Sequence, residues 1–162
     1  MFAGSLRFFS AIALICWAVT LSAQPLPALS REALAQHYMQ LLMAGNYTEL
    51  GNYLSEKSTL TDSTAGKSYK GKRQILAFLH RANQGMVQAR FEQSQFFVAK
   101  KVAVFIGTYH YRGEGSLYGF PEQTIEFSLP MVTILTINVK DQLVTSHQDL
   151  FDYAQLKPRT LD

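Results

Sequence analysis

The 162-residue sequence predicts an α+β fold in which a curved antiparallel sheet packs on N-terminal helices. Three observations carry this. Apolar residues recur at helical spacing up to about residue 83, the chain beyond it is a series of long β-branched and aromatic runs, and turn residues separate those runs. Helices first and hairpin-linked strands second argue segregated layers rather than alternating βαβ units.

The chain opens on Arg7, then an uncharged, largely apolar run of 14 residues from Phe8 to Leu21, then Ala23 at a cleavable position. This is the layout of a secretory signal peptide over 1–23, and the run is short of the ~20 residues a membrane helix needs. Export is expected, to the periplasm or the medium, with no membrane attachment after cleavage. Residues 24–29 form a proline-stiffened leader. Cleavage removes the single cysteine, Cys16, and Arg7, leaving 14 basic residues against 12 acidic. That balance gives no electrostatic footprint for nucleic acid, and the mature domain holds together without disulfides.

Ser30 is an N-cap for a helix whose stripe is Leu34, Tyr38, Leu41 and Leu42, ended by Gly45-Asn46. Tyr47–Leu54 reads as a short second helix, Ser58–Thr61 as a brief strand closed by Asp62, and 63–71 as a polar turn region. A third helix spans Lys72–Asn83, with Ile75, Leu76 and Leu79 facing inward. Strands are predicted over 87–99, 101–112, 124–138 and 143–153, with turns at Lys100-Lys101, Gly113-Glu114-Gly115 and Lys140-Asp141. Pro130 inside the longest run implies a bulge or bend there.

The last strand carries the chemistry. Alternation places Leu143, Thr145, His147, Asp149, Phe151 and Tyr153 on one face. Asp149 can orient His147 for acid–base work, or act as the base itself; Asp152 points the other way, as a surface or strand-end residue. A His and an Asp on one strand are also a common structural pair. Tyr109 and Tyr111 share a face with Phe105 and are candidate hydroxyl donors, while His110 takes the opposite face. Asp62, ahead of Ser63-Thr64-Ala65-Gly66, fits a turn cap. His37, His80, His110 and His147 offer no close ligand pair, so no metal site is expected. No phosphate loop, nucleophile elbow or dinucleotide fingerprint appears, so no cofactor is expected.

Three segments resemble the nuclear-transport-factor-2-like superfamily, in particular its SnoaL-like branch. They are the opening helices and brief strand from Leu34 through Asp62, the glycine-led third helix in Tyr69-Lys70-Gly71-Lys72-Arg73-Gln74-Ile75-Leu76-Ala77-Phe78, and the His-any-Asp ending in Ser146-His147-Gln148-Asp149. The resemblance implies a cone-shaped domain over 30–155, with a tail over 156–162, and a pocket between sheet and helices lined by Tyr109, Tyr111, Asp62 and Phe151. It implies no single function, since such cones host isomerases, dehydratases, cyclases, hydrolases and binding or assembly domains. Three readings stay open: an exported binding module for a small apolar molecule, an acid–base enzyme using His147 and Asp149, and an assembly domain that forms homodimers through its sheet.

Overall fold

The computed structural model describes residues 28–161, so the predicted signal segment and most of the leader lie outside it. Helix α1 (Arg31–Met43) begins where predicted, with the Ser30 hydroxyl accepting from the Ala33 amide at 3.1 Å. Its stripe of Leu34, Tyr38, Leu41 and Leu42 is buried. Helix α2 (Tyr47–Leu50) is shorter than predicted and tightens into a 3-10 turn over Gly51–Tyr53, yet Leu50 and Leu54 are both buried. Helix α3 (Lys72–Ala82) buries Ile75 and Leu79, with Leu76 half-buried, and ends as Asn83 Nδ2 donates to the Leu79 carbonyl at 2.8 Å.

The strands are β1 (Thr59–Asp62), β2 (Lys67–Lys70), β3 (Met86–Ala99), β4 (Val102–Gly115), β5 (Phe120–Asn138), β6 (Leu143–Phe151) and β7 (Arg159–Leu161). They form one curved, unclosed sheet in the order β2-β1-β6-β5-β4-β3, with β7 also on β5. All pairings are antiparallel except β1 on β6, so the sheet is mixed where an antiparallel one was expected. Strand β2 falls in the region read as polar turn; its exposed, polar residues carry no apolar alternation. Gly113-Glu114-Gly115 is not a turn but the end of β4, and the chain reverses through a 3-10 turn at Ser116–Tyr118. In place of a tail, residues 159–161 return to β5 at Thr124–Glu126.

Pro130 causes no bulge: it pairs with Thr108 in unbroken register. Its carbonyl accepts from the Asp152 amide at 3.0 Å. The missing N–H points the same way, past the end of β6, where no ladder bond is lost. Register breaks lie elsewhere, among them one in β3 between Gln93 and Gln95, opposite Gly107. A Cβ on Gly107 would lie 2.1 Å from the Glu92 carbonyl oxygen and 2.8 Å from the Phe91 ring, so only glycine lets β3 close down at the bulge. A second bulge, between Thr136↔Ser146 and Ile137↔Val144, shifts the phase of β6. Val144, rather than Leu143 or Thr145, is therefore the buried residue at its start.

The core has two parts. Helix residues and Phe105, Leu135, Ile137 and Val144 form the larger, and Tyr111, Ile125, Phe127 and Leu129 the smaller. Gly107→Ala is expected to cost about 2–3 kcal/mol, as overpacking against backbone does. A denaturant midpoint within error of wild type would show that the close approach does not constrain the sheet.

Candidate functional site

Strand β6 lays His147 against α1 and Asp149 beside β5. His147 is 1% exposed, with Tyr38 Oη 3.2 Å from Nδ1 and Asp149 Oδ1 3.0 Å from Nε2. Asp149 Oδ1 also accepts from Thr133 Oγ1 at 2.6 Å. A neutral imidazole satisfies both contacts at once, with Nε2–H donating to the carboxylate and Nδ1 accepting from the tyrosine. Burial, and then the Asp149 charge, push the Tyr38 hydroxyl well above its ordinary range, which keeps it a donor. Four side chains from α1, β5 and β6 thus form one chain of hydrogen bonds. Oδ2 of Asp149 makes no hydrogen bond among the described residues, and the Asp149 side chain is 13% exposed.

That exposed edge faces a cavity of about 170 Å³ between the two parts of the core. On the helical side it meets Leu42, Phe78 and Leu79, and on the sheet side Tyr109, Tyr118 and Phe151. Parallel pairing of β1 with β6 sets Asp62 directly across from Asp149, so both carboxylates line it. Asp62 Oδ1 accepts from the Ala65 amide at 2.9 Å, capping the turn, and Oδ2 accepts from the Tyr153 hydroxyl. Burial is the main cause that raises the Tyr109 and Tyr153 hydroxyls far above their ordinary range. The Asp62 charge adds to Tyr153, and Asp149 adds to both. Tyr118 is pushed up to about 12, also by burial first.

The structure thus brings together His147, Asp149, Tyr109, Asp62 and Phe151. It does not bring Tyr111 with them. Two residues further along β4, Tyr111 stacks on Phe127 with ring centroids 5.0 Å apart, and its hydroxyl donates to the Glu114 carbonyl at 3.0 Å. His147 backs the cavity wall but reaches its contents only through Asp149. Asp152 lies beyond β6 and accepts from Gln155 Nε2 at 2.6 Å.

Sequence reasoning passed over Tyr38 and Thr133 as site residues. Each left a sign: Tyr38 is the one hydroxyl in the apolar stripe of α1, and Thr133 is the one polar break in the alternation Phe127, Leu129, Met131, Thr133, Leu135, Ile137. Among the described residues no three His, Cys, Asp or Glu side chains cluster as a metal site would require. A wider, open depression of about 550 Å³ lies elsewhere, along Arg90, Arg112, Lys157 and Arg159. Arg90 pairs with Glu92 and Arg159 with Glu126, so half of those cations are already answered.

The profile of the SnoaL-like domain matches residues 35–147. A candidate SnoaL-like polyketide cyclase from Shewanella putrefaciens CN-32 is 35% identical, with a TM-score of 0.76 over 77% of this chain and 91% of that one. A second, from Shewanella denitrificans OS-217, is 34% identical at the same TM-score, over 77% of this chain and 92% of that one. A nuclear-transport-factor-2-like protein from Cytophaga hutchinsonii ATCC 33406 shares the fold at 12% identity and a TM-score of 0.58, over 80% of this chain and 96% of that one. A search of curated proteins found no match. On the span of the profile match and the identity to the Shewanella proteins, the chain belongs to the SnoaL-like domain family of the nuclear-transport-factor-2-like superfamily.

Proposed function

We propose that this is an exported protein whose cavity binds a small, mostly apolar molecule through Asp149. One observation carries the reading: a carboxylate sits in an otherwise aromatic and aliphatic wall with Oδ1 held by His147 and Thr133 and Oδ2 left free. Taking a carboxylate out of water is costly, and two donors on one oxygen hold it in a fixed pose for a partner on the other. The volume suits a ligand about the size of benzene, which an apolar cavity of ~150 Å³ accepts. Export is supported by the charge, length and cleavage pattern of residues 1–23.

A second reading, acid–base catalysis, is favoured by the paired carboxylates. Asp149 would take a proton from a carbon beside a carbonyl, and the Tyr109 hydroxyl, held protonated, would donate to the oxyanion that forms. His147 is then a positioning residue that acts through Asp149. The Shewanella relatives, described as candidate polyketide cyclases, are consistent with such chemistry. A homodimer would use the outer sheet face, where Phe97 and Leu150 are exposed.

Titration of the mature protein with benzyl alcohol, followed by amide NMR, is expected to give saturable shifts around Tyr109 and Asp149 with millimolar or tighter affinity. Ala82→Phe, which fills the cavity from α3, should abolish them; shifts that persist would place the ligand elsewhere. Tyr38→Phe leaves Nδ1 of His147 without a donor and is expected to cost about 1–3 kcal/mol of stability in denaturant. An unchanged stability would show that the chain of hydrogen bonds does not hold α1. N-terminal sequencing of exported material should begin at or near Gln24, and an intact Met1 would refute cleavage.

A further inference from the structure

We infer that the ligand of this cavity is a small organic cation, a protonated amine or quaternary ammonium on a benzyl-sized body. This rests on the cavity being the binding site, and it adds a sign to the polar end of the ligand.

Asp62 and Asp149 both line the cavity, and among the described residues no lysine or arginine does. The one ionisable nitrogen that the described residues place in the wall is that of His147, which is buried and bonded to Oδ1 of Asp149. Lys67 stands opposite Asp62 in the β1–β2 register, but it is exposed and forms no ion pair with it. The cavity therefore carries two acidic groups and, among the described residues, no lysine or arginine to answer them, an arrangement that a positively charged guest offsets more fully than a neutral or negative one.

Aromatic side chains line the same space. Tyr109, Tyr118, Phe151 and Tyr153 share the cavity wall with the two carboxylates; Tyr109 and Phe151 meet edge-on with ring centroids 6.0 Å apart, and those of Phe151 and Tyr153 lie 5.5 Å apart. Ring faces carry negative potential and attract cations, most strongly where water is excluded, and an aromatic cage completed by a carboxylate is the usual solution for holding an alkylammonium. Burial first, and then neighbouring charges that include Asp149 for Tyr109 and Asp62 and Asp149 for Tyr153, holds both hydroxyls protonated.

The test is a series of one size and three charges: benzylammonium, benzyl alcohol and benzoate, titrated into the mature protein at neutral pH by calorimetry and amide NMR. Benzylammonium is expected to bind about tenfold or more tighter than benzyl alcohol, the ratio a partly desolvated charge contact supports, and benzoate should not compete. Asp149→Asn should bring the ratio of amine to alcohol to within about threefold; Asp62→Asn, at the rim and outside the His147 chain, should lower it by about threefold and serves if the first variant fails to fold. Benzyl alcohol or benzoate binding as tightly as the amine would overturn the cation while leaving the cavity as a site. No saturable binding by any member would overturn both.

Discussion

A buried imidazole requires a partner for each ring nitrogen, and in this protein the partners of His147 come from opposite sides. Tyr38 reaches it from α1, and Asp149, steadied by Thr133, reaches it along the sheet. Leaving either nitrogen unanswered would cost about 1–3 kcal/mol, a large share of the stability of a domain this size. The helix therefore has one favourable position against β5 and β6. In that position its Leu42 and Met43 stop short of the aromatic cluster formed by Tyr109, Tyr118 and Phe151, and the gap between them is the cavity. The same bonds that place the helix fix the carboxylate that faces the gap.

Two of the breaks in the sheet's register shape that gap. At Gly107 the absence of a side chain lets β3 close on β4 across its bulge. The bulge beside Thr145 rephases β6, so that Val144, His147 and Asp149 all face the helices. Without it, strict alternation from His147 and Asp149 would turn Val144 outward and leave a gap in the larger core.

Much of the architecture was legible because its signals are local. Leu34, Tyr38, Leu41 and Leu42 mark a buried helical face by spacing alone, and the alternation from Phe127 to Ile137 marks the inner face of β5. What stayed hidden depends on contacts distant in sequence. Gly113 and Gly115 look like turn residues, yet they are glycines because a Cβ would lie 2.7 Å from the Gly85 carbonyl oxygen in one case and 2.6 Å from the Phe120 carbonyl oxygen in the other. Tyr109 and Tyr111 are equivalent by parity, and only the fold of Tyr118 back over Tyr111, with ring centroids 5.3 Å apart, separates cavity wall from core. The pairing of Asp62 with Asp149 depends on a parallel contact between strands some eighty residues apart, for which the sequence has no local mark. Pro130 misled for the converse reason: it is a strong local signal whose cost vanishes because β6 has already ended.

The proposed function requires that Asp149 offer a free carboxylate oxygen to a guest in a cavity that stays open. A crystal structure of the protein, as purified and again with benzylammonium, is the direct test. Ordered density is expected between Tyr109 and Phe151, with its polar atom within hydrogen-bonding distance of Asp149 Oδ2. A cavity closed by inward rotation of Tyr153 or Phe151, or Oδ2 taken up by a protein donor, would contradict it.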